Sequence, residues 1–79
     1  MKATRVCHGQ PHKLEPGQYT KSGGDWWVCC PGDLLAWLKN HQVVEHDDGT
    51  ISVIPSILCK RGGSISWHGH LTRGDLQET

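Results

Sequence analysis

The sequence predicts a mostly β domain, a small antiparallel sheet of hairpins with at most one short helix. Three observations carry that expectation. "WWVCC", Trp26 to Cys30, is aromatic and β-branched and is bounded by turn formers. "VVEHDDGTISVI" sets two apolar runs on either side of Asp47-Asp48-Gly49, a hairpin turn sequence. From Ile51 onward, Ile51, Val53, Pro55, Ile57 and Cys59 share one parity, the period-two mark of a strand with one buried face.

Taken in chain order, residues 1–13 show no packing pattern and are expected as a flexible N-terminal segment ahead of a single small β domain at 14–76. Gly9, Pro11, Pro16, Gly17, Gly23 and Gly24 mark residues 8–25 as loop, with "GQYT" as at most one short strand. In the strand that follows, Trp26, Val28 and Cys30 fall on one face and Trp27 and Cys29 on the other, so the adjacent cysteines serve different surroundings. "LLAWLKNHQVV" fits one or two helical turns behind an Asp33 cap, and fits a strand as well. Pro55 interrupts the next alternation and marks a bulge or an edge. After the turn "KRGGS", the stretch "ISWHGHL" directs Ile65, Trp67 and Leu71 to one side and Ser66, His68 and His70 to the other. "TRGDL" closes a last hairpin, and 77–79 form a frayed tail.

A chain of 79 residues is one domain, and a domain this small buries only about 60% of the surface its unfolded chain exposes. Hydrophobic residues make up 35%, with no Phe and one Met, so the four tryptophans must supply much of the apolar volume. Such a chain gains from a staple, and four cysteines with six histidines are material for one. The N-terminus carries no apolar signal segment, and no run is long and apolar enough to span a membrane. The expected location is therefore cytoplasmic, where clustered cysteines bind metal or stay free more often than they pair. A net charge of zero, with Lys13, Lys21, Lys39, Lys60, Arg61 and Arg73 scattered, argues against duplex DNA as a partner.

The unit "CPGD" carries the sharpest chemical signal. Pro31 and Gly32 write a type II turn that draws Cys30 and Asp33 together, as a C-x-x-C turn presents two zinc ligands, and carboxylate oxygen is an acceptable ligand. Read otherwise, the turn is only a turn and Asp33 only a cap. Cys59 and His68 lie on strands that the Gly62-Gly63 turn pairs, so Cys30, Asp33, Cys59 and His68 form a candidate zinc set, with His70 or water as another fourth ligand. Against this stand a buried free cysteine and a half-exposed strand histidine. "CHGQPH", Cys7 to His12, is a further donor cluster without a turn signature. No nucleophile elbow or phosphate-binding glycine loop occurs, and the glycine after "HDD" explains that acidic group as turn chemistry.

Four segments, "LEPGQY", "WVCCPGD", "TISVIPSIL" and "WHGHLTRG", together resemble a family of small zinc-binding β domains of unknown function found in phages and bacteria. The family pattern runs L-x-P-G, a C-P-G-C turn, T-x-S-P-S-I and a closing C-H-x-aromatic strand. The resemblance covers about Leu14 to Leu76 and implies a compact β fold with a structural zinc, in which Cys30 and His68 match ligand positions directly. Asp33 stands at the second turn cysteine and Trp67 at the cysteine before the histidine, with Cys59 as the replacement; His70 falls at an aromatic position. The expected function is that of a non-enzymatic, phage-type accessory or host-interaction protein with a protein partner in the host cytoplasm. The alternatives are a zinc-ribbon-like single-strand nucleic-acid binder stacking bases on Trp26 or Trp27, and a small metalloenzyme with His68 and His70 holding an ion.

Overall fold

The computed structural model describes every residue from Met1 to Thr79. It is built almost wholly of strands, in the order β1 Thr4–Arg5, β2 Gln18–Ser22, β3 Asp25–Cys30, β4 Leu34–Trp37, β5 Gln42–Glu45, β6 Ile51–Ile54, β7 Ile57–Arg61, β8 Ser64–Thr72 and β9 Asp75–Glu78. The mostly β expectation holds. The helical option at "LLAWLKNHQVV" does not, because Leu34–Trp37 pairs with β3 as a strand, and the single helical turn is a 3-10 segment at Pro11–Lys13. Asp33 cannot cap a helix there, since it takes φ 62 and completes the Pro31-Gly32-Asp33 turn between β3 and β4.

Three sheets wrap one core: β1-β2-β3-β4, β5-β6 and β7-β8-β9. All neighbours are antiparallel except β1 with β2. Two-residue turns at Gly23-Gly24, Gly62-Gly63 and Arg73-Gly74, all with positive φ, join three of the hairpins in the handedness that twisted strands favour. The core takes one parity from seven of the nine strands: Tyr19 from β2, Trp26, Val28 and Cys30 from β3, Leu34 from β4, Ile51 and Val53 from β6, Ile57 and Cys59 from β7, Trp67 and Leu71 from β8, and Leu76 from β9. The alternation of Ile51, Val53, Ile57 and Cys59 runs through the Pro55 break unchanged, because two residues intervene and parity is kept.

The N-terminal residues depart from the expected flexible segment. Ala3 is part of the core, its N–H donates to the Gly74 carbonyl at 2.7 Å, and the Leu76 N–H donates to the Met1 carbonyl at 2.8 Å. Met1 to Arg5 thus runs from β9 to β2 and joins the third sheet to the first, through the Lys2–Asp75 bridge and the β1–β2 pairing. The tail is also tied: Leu76 is buried, β9 extends to Glu78, and the Thr79 N–H donates to the His68 carbonyl at 2.9 Å. At the far end β4 lies beside β7 without a ladder between them, as β6 lies beside β8, so the first and third sheets meet there through side chains.

One irregularity decides how the β7–β8 hairpin faces. Cys59 pairs with Trp67 but Lys60 pairs with Ile65, so Ser66 is an extra residue in β8. Beyond such a bulge every side chain changes face. Ile65, expected beside Trp67 on the apolar side, is therefore 63% exposed.

Candidate functional site

The expected zinc set is divided among three places. Cys30 ends β3 and Cys59 lies on β7, both facing the core, with their sulfurs 3.5 Å apart and the residues 0% and 5% exposed. Asp33 does not join them. Its left-handed backbone turns the carboxylate to the other side of β3, where the Cys29 thiol donates to Oδ1 at 3.6 Å. His68 is opposite Leu58 rather than Cys59, so its ring leaves on the outer face of β8. There Nε2 is 2.8 Å from the Ser56 hydroxyl and Nδ1 is 3.1 Å from the Thr79 hydroxyl. A single step of register separates the expected ligand from the cysteine it was to join.

The other donor groups do not repair this set. His70 is exposed, paired across the ladder with Gln77. Cys7 is exposed, and His8 Nδ1 accepts from the Gln10 N–H at 3.0 Å, while His12 sits in the 3-10 turn. No group of three or more His, Cys, Asp or Glu side chains converges as an ion requires. The Cys30–Cys59 pair supplies two donors, and the geometry of the remaining residues does not supply the other two.

Burial sets the chemistry of the three core cysteines. Loss of solvent pushes the Cys29 thiol up to about 11, with the Asp33 carboxylate adding to the shift, and pushes Cys30 higher still. Cys59 is also raised by burial, partly offset by its contact with Cys30. All three are held as neutral thiols at neutral pH.

One feature left open to solvent is aromatic. On the outer face of β3 and β4, Trp27 and Trp37 are directly paired, with ring centroids 5.3 Å apart and planes 7° from parallel. Trp37 is 47% exposed, Leu35 beside it is exposed, and the Lys39 ammonium lies 4.9 Å from the Trp37 ring centre. Trp26, an expected stacking residue, is on the inner face at 8% exposure and packs against Tyr19, with Arg5 and Lys21 over its rim. Sequence parity separated Trp26 from Trp27; only the β3–β4 register showed that Trp37 joins Trp27.

An open concavity of a different kind lies between the β5–β6 turn and the β8–β9 turn, lined by Glu45, His46, Asp47, Asp48 and Arg73. Its acidic residues serve the turn: Asp48 Oδ1 accepts from the Thr50 N–H at 3.0 Å and the Thr50 hydroxyl at 2.6 Å, which holds its carboxyl below the usual range. His46 Nε2 meets the Ser52 hydroxyl at 2.7 Å, and that hydroxyl accepts from the Arg73 N–H at 2.9 Å. These bonds fasten two turns to each other. No helix is long and apolar enough to cross a membrane. Comparison with known protein families, curated proteins and solved structures finds no match to this chain.

Proposed function

We propose that this chain is a non-enzymatic binding module that holds a protein partner through the outer face of β3 and β4. The observation that carries the reading is the Trp27–Trp37 stack, half open to solvent and flanked by Leu35 and Lys39. Tryptophan is the residue most enriched at interface hot spots, because a rigid aromatic buries a large area at little entropic cost. The reading keeps the accessory or host-interaction role, of the phage type, that the sequence resemblance implies.

Base stacking is the weaker use of the same residues. One side of Trp37 already faces Trp27, and Lys39 also lies over its ring, so an incoming base must displace one of them. The test is quantitative capture by the immobilised chain, compared with the Trp37→Ser, Leu35→Ser double variant. Loss of a protein partner by tenfold or more, with the variant still folded, supports the reading. Equal capture by both chains sinks it, and retention of single-stranded nucleic acid that falls steeply with salt replaces it by the stacking alternative.

A further inference from the structure

We infer that Cys30 and Cys59 are a modification site: a buried dithiol that closes to an intrachain disulfide between β3 and β7, across the seam where the first and third sheets meet without a ladder. Cys30 ends β3 beside the turn into β4, Cys59 sits on β7, and these strands belong to different sheets with no ladder between them. The first and third sheets are otherwise joined through the N-terminal segment, and β6 beside β8 is tied by the Gly74 N–H, which donates to the Ile51 carbonyl at 3.0 Å. Beside the apolar packing of Leu34 and Ile57 in the shared core, the side-chain hydrogen bonds at this seam are the two sulfurs at 3.5 Å and the Arg61 guanidinium, which donates to the Gly32 carbonyl at 3.0 Å. Closing the sulfurs to the bonded distance of about 2.0 Å needs a movement of about 1.5 Å, within reach of side-chain rotation and a small strand shift.

The pairing is specific. Cys29 faces the opposite side of β3, with its thiol donated to Asp33, and Cys7 is exposed in the N-terminal segment. The co-reactant is a small-molecule disulfide such as oxidised glutathione. Cys59, the less buried of the two, loses its proton and its thiolate attacks one oxidant sulfur. The oxidant S–S bond breaks, and the released thiolate takes up a proton. Cys30 then ionises and attacks the Cys59 sulfur of the mixed disulfide, expelling the second small thiolate, which is protonated in turn. Two protein thiols lose two electrons in all, and one oxidant disulfide becomes two thiols. Because both thiols are buried, the exchange proceeds through opening of the seam and is slow in the folded state.

The bridge spans 29 positions of chain, and restricting the unfolded chain over that distance raises the thermal midpoint by roughly 14–29 °C. The test uses the full chain carrying Cys7→Ser, to prevent intermolecular pairing, equilibrated across glutathione buffers from reducing to oxidising. Denaturing alkylation, intact mass and peptide mapping then count the thiols, and melting compares oxidised with reduced samples of the same chain. The expected result is a mass about 2 Da lower before alkylation, one thiol left to label, a Cys30–Cys59 linked peptide pair and a higher midpoint. Labelling of Cys29, Cys30 and Cys59 at every redox poise overturns the inference. A bridge that includes Cys29, an unchanged midpoint after bridging, or one equivalent of zinc retained on the two cysteines through purification overturns it equally.

Discussion

Replacing Gly69 by alanine tests the packing of the β8–β9 ladder where it is tightest. Gly69 is buried on β8 opposite Glu78, and the Trp67 ring folds over it from two positions away on the same face. A Cβ added there overlaps the Gln77 carbonyl oxygen and Cη2 of Trp67, and lies 2.7 Å from Cζ2. The ring has some freedom to swing, but the carbonyl belongs to the neighbouring strand and moves only with the ladder. Overpacking of a core costs about 1–3 kcal/mol, and a backbone obstacle puts this case near the upper figure. A domain of this size has a total stability of roughly 4–12 kcal/mol, so the thermal midpoint falls by about 12–24 °C. Gly63→Ala is the control: nothing lies within 4 Å of its added Cβ, and φ is 84, so it carries backbone strain alone, about 1 kcal/mol. Differential scanning calorimetry of both variants decides the matter. A Gly69→Ala midpoint within a few degrees of the parent, or above that of Gly63→Ala, refutes the close packing of Trp67 and β9.

Thr20→Val removes a buried hydroxyl that donates to the Val6 carbonyl at 2.8 Å and accepts from the Gly9 N–H at 3.2 Å. Two backbone groups lose their partner, so urea titration is expected to show a loss of about 1–3 kcal/mol and faster amide exchange in residues 6–10. Arg73→Asn relieves a non-glycine residue at φ 46 ahead of Gly74 and creates the favoured Asn-Gly turn, with an expected gain of about 0.5–1 kcal/mol by the same titration. Stability also falls on the alkaline side. The Cys29 thiol is raised by burial from 9.0 to about 11, so the fold favours its neutral form; that stability is complete below pH 9 and is lost as pH rises toward 11. Cys30, Cys59 and Tyr19 shift in the same direction. Melting under reducing conditions at stepped pH is expected to show the decline, and a flat midpoint across that window contradicts the burial of these groups.

The parts of the fold that sequence made legible are those where alternation is uninterrupted. Ile51, Val53, Ile57 and Cys59 face the core as their parity requires, and the Asp-Gly and Gly-Gly sequences turn where turn chemistry places them. Failures arise where a long-range pairing sets the face. Parity alone sets Trp67 on the apolar side with Cys59, and His68 on the other, against the zinc set, whereas the bulge at Ser66 turns Ile65 outward without any glycine or proline to announce it. Ala3 is too small to carry a hydrophobic signal, yet β9 and β2 hold it in the core. The Leu34–Trp37 strand was ambiguous because four residues satisfy both periods, and its pairing with β3 decided it.

The register of one hairpin decides what surrounds the cysteines. Had His68 taken the position opposite Cys59, its ring would share a face with two thiols, and a metal would be the natural occupant. With Trp67 there instead, the sulfurs meet beside an indole and a wall of Val28, Leu34 and Ile57, all buried. An apolar surrounding disfavours the thiolate that binds metal. It does not disfavour a disulfide, which is uncharged and carries no proton to satisfy. The position of the pair points the same way, since no ladder holds β3 to β7 and a covalent link there constrains the unfolded chain as well. Reduced, the seam rests on apolar packing, two sulfurs in contact and one arginine on a carbonyl; oxidised, β3 and β7 no longer part unless the bond is broken.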